Sequence, residues 1–214
     1  MKYIISERQY KFLKEDEEKI LKINYQMFND DWDILQSFLQ KRGFPEYKLE
    51  GNVAIVNQDI ESLGSIISIS GWLDIQDSPV ESLGNLEHVG GYVSIRDTKI
   101  ESTGNLKTVG RYLDLNKSQI KSIENLKKVS GYLALNETFV ESLGNLESVA
   151  GDLDLIETPL KSLGNLKKVG RNLNLTGTPF AKKYNEKEIR QMVEVVGNIY
   201  TNHNPKKNNF NLDW

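Results

Sequence analysis

The chain has 214 residues, a formal net charge of −3 and no cysteine, and 38% of its residues are hydrophobic. This apolar content predicts a folded protein, either one elongated domain or one domain with small appendages. The nearly balanced charge does not favour polyanion binding. Without cysteine the chain has no disulfide, no thiolate nucleophile and no cysteine-type metal site.

Residues 1–48 predict a helical N-terminal cap. Ser6 and Gln9 have the spacing of a capping box, which indicates a helix start. Apolar residues then follow near helical spacing at Tyr10, Leu13, Ile20, Leu21, Met27 and Phe28. A second helix is expected to begin near Asp30 or Asp31, to end at Gly43, and to carry Trp32, Leu35, Phe38 and Leu39.

No segment near the start has the apolar core of a signal peptide. No window of the sequence approaches the roughly 18 apolar residues that a membrane helix needs. We therefore expect a cytoplasmic protein that does not insert into membranes, located in the host-cell cytoplasm if the chain is viral.

A repeat with a period of 20 residues runs from about residue 51 to residue 180. We count each coil from the residue after a multiple of 20; its third, sixth, ninth, thirteenth, fifteenth and twentieth positions are then apolar, except for Thr103 at the third position of one coil. The fifteenth position, for example, holds Ile75, Ile95, Leu115, Leu135, Leu155 and Leu175. One coil cannot bury these side chains alone, whereas stacked coils bury a continuous core. The sequence therefore predicts a mainly β fold, a right-handed parallel β-solenoid of six to seven coils over residues 49–180.

Small polar residues recur at fixed positions between the apolar ones. The second position is always serine, the fifth is asparagine in five coils, and the eighteenth is threonine or serine. Such residues satisfy backbone groups at turns or stack into ladders between coils. We therefore expect the corners of the solenoid at these positions.

The repeat resembles leucine-rich repeats. The segment Leu133-x-Leu135-x-x-Thr138-x-Val140-x-x-Leu143-x-x-Leu146-x-x-Val149 has that family's spacing, with threonine where the family usually places asparagine. The segment GYLALNETFVESLGNLESVAGDL is also similar to the L domains of growth-factor receptors, which are single-stranded β-helices. The short repeats further resemble uncharacterised bacterial and tailed-phage proteins. The resemblance implies a solenoid whose strand face binds partners; because receptor domains are extracellular and contain disulfides, receptor function is not carried over to this cysteine-free chain.

Residues 181–214 predict a C-terminal helix and a polar tail. Asn185 and Glu188 have capping-box spacing. The helix is expected to end at Gly197 and to place Ile189, Met192, Val193 and Val196 on one face.

The twelfth position supplies the candidate binding residues, because it is expected to point outward from the strand. Four successive coils carry Trp72, Tyr92, Tyr112 and Tyr132 there, and Arg96 lies two outward positions beyond Tyr92. Exposed aromatic side chains at ~4.8 Å spacing suit a partner-binding surface. The alternative is an aromatic ladder that stiffens the sheet.

Other polar columns suggest chemistry less strongly. Asp74, Asp114 and Asp154 share the fourteenth position, where we expect solvated side chains; their spacing leaves a carbohydrate-active site as an alternative. Lysine-rich and glutamate-rich coils alternate around Lys121, Lys127 and Lys128, which favours a charge ladder between coils over a nucleic-acid site. No metal or cofactor is expected, because no His, Asp or Glu cluster has metal-ligand spacing.

These observations predict a non-catalytic repeat protein that binds another protein through its outward strand face. A glycan-binding or carbohydrate-active solenoid is one alternative, and a structural or self-assembling element is the other. The sequence does not identify the partner.

Overall fold

The computed structural model describes residues 20–55 and 60–202. Within these ranges the strands form one nine-stranded and one eight-stranded sheet. Neighbouring strands run parallel and pair with a shift of one coil, as Leu133 does with Leu153. The mainly β, parallel solenoid that the repeat predicts is therefore confirmed.

The strands are short, and each regular coil contributes one strand to each sheet. In chain order they are β1 (Leu21–Asn24), β2 (Tyr47–Glu50), β3 (Val53–Ala54), β4 (Ile66–Ile69), β5 (Leu73–Asp74), β6 (His88–Val89), β7 (Val93–Ser94), β8 (Thr108–Val109), β9 (Leu113–Asp114), β10 (Lys128–Val129), β11 (Leu133–Ala134), β12 (Ser148–Val149), β13 (Leu153–Asp154), β14 (Lys168–Val169), β15 (Leu173–Asn174), β16 (Glu194–Val195) and β17 (Ile199–Tyr200). The first sheet has the order β1-β2-β4-β6-β8-β10-β12-β14-β16. The second sheet has the order β17-β15-β13-β11-β9-β7-β5-β3.

Helices lie near both ends of the described chain. They are a 3₁₀ helix (Tyr25–Phe28), α1 (Trp32–Gln40), α2 (Pro179–Lys183) and α3 (Glu186–Met192). The carboxylate of Asp31 accepts a hydrogen bond from the Ile34 N–H and caps α1, which confirms the predicted second helix. The predicted capping box of α3 is also present, because Asn185 and Glu188 each accept from the other's backbone N–H.

Two helical predictions are wrong in extent. Residues 21–24 form β1, which pairs with β2, and their alternating burial suits a strand better than a helix. At the other end α3 stops at Met192 and β16 pairs with β14, so Val196 is 65% exposed instead of lying on a helical face. The first part of the predicted N-terminal helix, residues 1–19, lies outside the described residues.

Both sheets continue past residue 180. β16 and β17 pair with β14 and β15 and complete one more coil. This coil is longer than the others, since Glu194 contacts Lys168 at a sequence separation of 26. The extra length contains α2 and α3, so these helices interrupt a coil and the chain then returns to both sheets.

The six apolar positions form one continuous core. The residues at the fifteenth position are fully buried, Leu135 among them at 0% exposure. Thr103 replaces the aliphatic residue at the third position of its coil and is also 0% exposed. Its hydroxyl has no hydrogen-bond partner among the described residues, which makes it a local defect of the core.

Hydroxyl side chains close two corners of each coil. At the eighteenth position the hydroxyl donates to the carbonyl of the fifteenth residue of the same coil, as Thr138 does to Leu135 at 2.7 Å. The same bond occurs at Ser78, Thr98, Ser118, Thr158 and Thr178. At the second position the serine oxygen accepts from the N–H two residues later, as Ser142 does from Gly144 at 3.2 Å. Both corners are therefore satisfied within a single coil.

Salt bridges connect neighbouring coils along the exposed surface, which confirms the predicted charge ladder in part: among the described residues Lys121 pairs with Glu101, and Lys127 and Lys128 have no ion-pair partner. Lys–Glu pairs form between equivalent positions of successive coils, with N–O distances of 2.6 to 3.1 Å at Lys107–Glu87, Lys121–Glu101, Lys161–Glu141 and Lys167–Glu147. Exposed pairs of this kind contribute only about 0.2–1 kcal/mol each to stability. Their main consequence is to favour one register between coils.

Candidate functional site: the aromatic ladder on the second sheet

Four aromatic side chains stack along the outward face of the second sheet. Trp72, Tyr92, Tyr112 and Tyr132 immediately precede β5, β7, β9 and β11. Their ring centroids are separated by 5.4, 4.6 and 4.9 Å, and successive ring planes differ by only 2° to 6°. We call these four residues the aromatic ladder, and we call the twelfth, fourteenth and sixteenth positions together the strand face.

The ladder follows directly from the repeat. Parallel, in-register strands place equivalent side chains about 4.8 Å apart, which is close to the distance at which flat rings stack. The rings therefore contact one another mainly through their faces and present their edges outward. The stacked ladder expected as one of the two alternatives is present, and partner contact at the same residues stays a prediction.

The phenol groups of the ladder are held in the protonated form. Burial raises the pKa of Tyr112 to about 12, with smaller contributions from Tyr92 and nearby carboxylates. Burial also raises the pKa of Tyr92 and of Tyr132, where the negative charge of Asp114 adds to the effect. At neutral pH the half-buried ladder consequently presents uncharged hydroxyls, each able to donate one hydrogen bond.

The fourteenth position, next to the ladder on the same face, is buried along most of the sheet. Its buried residues are Ser94, Asp114, Ala134, Asp154 and Asn174. The expectation of solvated aspartates is therefore wrong for Asp114 and Asp154. The twelfth and sixteenth columns flank this position on the strand face, and neighbouring strands lie about 4.8 Å away on either side.

Arg96 takes part in this buried layer. Its Nε lies 3.8 Å from Oδ2 of Asp114, while Oδ1 of Asp114 accepts from the Asn116 N–H at 3.1 Å. Burial raises the pKa of the Asp114 carboxyl despite these two favourable contacts. The Arg96 side chain as a whole is still 35% exposed.

Polar side chains continue the twelfth column beyond both ends of the ladder. The Asn52 oxygen accepts from the Trp72 N–H at 3.1 Å. At the other end Asp152 accepts from the backbone and side-chain nitrogens of Asn172 at 3.0 and 2.8 Å. Only Trp72 and Tyr132, as the end members, have a ring face that no other ladder ring covers.

Comparisons with protein-family models, with curated proteins and with solved structures find no match. Within residues 20–55 and 60–202, no group of three or more His, Asp or Glu is placed to hold a metal ion. Over the same ranges, none of the helices combines the length and the apolarity needed to cross a bilayer. The geometry of the surface is therefore the basis for a functional proposal.

Four of the five candidate residues predicted from the sequence form the aromatic ladder. The surroundings of the fifth, Arg96, were not predicted. Arg96 is oriented by a buried carboxylate one coil further along the stack. A signal for that burial was present, because the fourteenth position of the regular coils carries only short side chains: Ala, Ser, Asp or Asn. A column without Lys, Glu or Gln indicates restricted space, even where several of its members are charged.

Proposed function

We propose that this solenoid is a non-catalytic binding protein whose strand face contacts another protein. One observation carries the proposal: four aromatic side chains and Arg96 form a continuous, half-buried surface along the strands of the second sheet. Protein interfaces concentrate binding energy in Trp, Tyr and Arg. Because stacking already fixes the rings, a partner would bind without a large loss of side-chain entropy.

The ring geometry favours a protein over a glycan as the partner. Sugars stack on the free faces of aromatic rings, but the inner faces here are covered by rings 4.6 to 5.4 Å away. Ring edges and hydroxyls suit the mixed polar and apolar surface of a protein. Nucleic acid is not part of the proposal, because lysines such as Lys107 and Lys161 are paired with glutamates of neighbouring coils.

A non-catalytic role is supported by the state of the aspartate column. Asp114 is 3% exposed and its carboxylate accepts from a backbone N–H, so it serves the turn after β9. Asp154 is likewise buried, at 6% exposure. A glycosidase needs two carboxyl groups that reach the substrate, and these two do not.

A structural role is the second candidate, and the stacking itself favours it. Offset-stacked aromatic pairs stabilise a fold by about 0.5–1.5 kcal/mol each, without any partner. The two proposals predict different results when the surface is probed without disturbing the rings.

Site-specific photo-crosslinking separates them. A photoreactive amino acid at Gln76 or Arg96 lies beside the ladder on the strand face, whereas one at Lys128 lies on the first sheet and serves as the matched control. We expect a discrete protein adduct from Gln76 and Arg96 in a lysate of the native cell, and none from Lys128. Equal labelling from all three positions, or none from the strand face, would contradict strand-face binding and favour the structural role.

The relation to leucine-rich repeats, the origin in a bacterium or phage, and the cytoplasmic location are also proposals. The first is supported by the threonine and serine side chains that bond to the corner carbonyl, as Thr138 does to Leu135. Subcellular fractionation of a cell that expresses the native gene tests the location.

A further inference from the structure

A groove of about 660 Å³ lies on a different part of the surface, between the coil that begins at Lys121 and the coil that begins at Glu141. Its lining includes Lys121, Glu124, Phe139, Glu141 and Pro159. We call this surface the corner groove. It contains no residue of the aromatic ladder, so the proposal for the strand face does not involve it.

The corner groove lies where the backbone pairing between two coils is interrupted. Serines at the second position form bridges between alternate pairs of coils only, at Ser62–Ser82, Ser102–Ser122 and Ser142–Ser162. In a bridged pair the Lys161 N–H donates to the Glu141 carbonyl at 2.8 Å. Across the groove, no described backbone group accepts from the Glu141 N–H or donates to the Lys121 carbonyl. The interruption therefore leaves one backbone donor and one backbone acceptor unused.

Four lining residues distinguish this interruption from the equivalent one between Ser82 and Ser102: Lys121, Glu124, Phe139 and Pro159 replace Glu81, Gly84, Lys99 and Gln119. The fourth position is glycine in the other repeats, and Gly84 and Gly164 adopt positive φ angles of 58° and 55°. In this coil it is Glu124, which is not in the left-handed region. The nineteenth position is Lys99 in the equivalent coil and Phe139 here. The corner groove thus has an aromatic ring at the nineteenth position and a carboxylate at the fourth, and the other interruption has neither at those positions.

Phe139 gives the groove an apolar surface open to solvent. Its side chain is 56% exposed, and Pro159 lines the same space. An exposed ring beside a proline is a feature of surfaces that bury an apolar side chain of a partner.

The charge of the groove is unbalanced by one negative unit. Lys121 pairs with Glu101 at 2.6 Å, and Glu141 pairs with Lys161 at 2.8 Å. Glu124 has no ion-pair partner among the residues that the structure describes. A basic side chain brought into the groove would therefore meet a free carboxylate.

We propose that the corner groove is a second binding site, and that it binds an extended, basic segment of a protein. An apolar side chain of the segment packs on Phe139 and Pro159, and an adjacent Lys or Arg pairs with Glu124. The Glu141 N–H and the Lys121 carbonyl, which lie on opposite sides of the groove, are available to hydrogen-bond polar groups of the segment. The volume of the groove lies within the usual range for ligand sites, about 300–1,000 Å³.

The test is a selection from a random dodecapeptide library displayed on phage, using the immobilised full chain. Enriched clones are kept whether or not they bind the Phe139→Gln variant; glutamine occupies this position in the preceding coil, so the variant is expected to fold. Enriched peptides are then synthesised with a fluorescent label, and their affinities are measured by anisotropy for the parent, Phe139→Gln, Glu124→Gln and Glu81→Gln. Glu81 is an exposed carboxylate outside the groove and serves as the charge control.

We expect enriched peptides that combine an apolar residue with a neighbouring Lys or Arg. Their affinity should fall about tenfold or more in Phe139→Gln and about twofold to fivefold in Glu124→Gln, with no change in Glu81→Gln. Several results would overturn the proposal: no enrichment, acidic peptides, or equal losses in Glu124→Gln and Glu81→Gln. Concentration-dependent association of the parent that Phe139→Gln abolishes would also overturn it, because the occupant would then be a second copy of the chain. A Tyr92→Phe/Tyr112→Phe/Tyr132→Phe variant should keep its peptide affinity, which separates this site from the strand face.

Discussion

Replacing Tyr112 with alanine should destabilise the solenoid, because this ring lies inside the aromatic ladder and has a neighbour on each face. Its centroid is 4.6 Å from that of Tyr92 and 4.9 Å from that of Tyr132. An aromatic pair contributes about 0.5–1.5 kcal/mol beyond its buried area. Loss of both pairs should therefore cost about 1–3 kcal/mol of unfolding free energy. For a protein of this size, 1 kcal/mol corresponds to a shift in melting temperature of about 2–4 °C.

The measurement is thermal unfolding followed by circular dichroism, with urea unfolding in parallel. Tyr112→Phe is the matched control, because it keeps both ring contacts and removes only the hydroxyl. Tyr132→Ala is the second control, since an end ring loses one ladder contact. If Tyr112→Ala melts within about 1 °C of Tyr112→Phe, the stacking contributes nothing to stability, and the ladder would have to be explained by partner binding alone.

Four further outcomes follow from the core and from the titratable groups. Leu135→Asp should cost about 3–5 kcal/mol, because it buries an unpaired carboxylate at a fully enclosed position; a melting temperature close to that of the parent would contradict this. Thr103→Val should raise stability by about 1–2 kcal/mol in urea unfolding, because it removes a buried hydroxyl without a partner among the described residues. Burial raises the pKa of Asp114 above its ordinary 3.8, so the ionised carboxylate destabilises the fold. Asp114→Asn should therefore be more stable than the parent at neutral pH. This difference in stability should disappear below about pH 3, where Asp114 is protonated in both the folded and the unfolded state. Burial raises the pKa of Tyr112 from 10.0 to about 12. The stability that its protonated phenol contributes is therefore complete below pH 10 and is lost as the pH rises towards 12. Tyr112→Phe should resist alkaline unfolding better than the parent in that interval.

The period of the sequence determined the regular part of the fold. Each 20-residue coil has six apolar side chains to bury, and stacked coils can bury all six in one core. The complete burial of Leu135 and of the equivalent residues in the other coils confirms this prediction. The same period predicted the alignment of the twelfth-position rings, because equivalent residues of parallel strands lie next to each other. The sequence did not determine whether these rings contact one another; the structure shows that they stack.

The ends of the solenoid could not be predicted in the same way, because they have no repeat to average over. Ile20, Leu21, Met27 and Phe28 have near-helical spacing, yet an open sheet edge next to residues 21–24 makes a strand the better solution. Val196 was predicted to lie on a helix, but the residues before it form β16, which pairs with the exposed edge of β14. Local periodicity does not report the backbone hydrogen bonds that a neighbouring coil offers, and here those bonds decide the outcome.

The strand face was also only partly predictable. The alternation of apolar and polar residues along each strand predicted which side chains point away from the core. It does not predict how exposed those side chains are, because neighbours on the same face can cover one another. Asp114, for example, points away from the core and yet is only 3% exposed. Phe139 and Glu124 were not predicted as site residues. The nineteenth position varies from coil to coil, so Phe139 belongs to no regular column, and Glu124 replaces glycine in one coil only.

The alternating serine bridges have a consequence for how this protein can change in length during evolution. The bonds at the eighteenth position close within one coil, so gain or loss of a single repeat would leave those corners intact. The bridges at Ser62–Ser82, Ser102–Ser122 and Ser142–Ser162 instead join coils two by two. Duplication or deletion of one repeat would change which coils are bridged, whereas a change of two repeats would preserve every bridge. A 40-residue tandem, twice the period of the sequence, is therefore the length of chain that can be added or removed without altering the pattern of bridges.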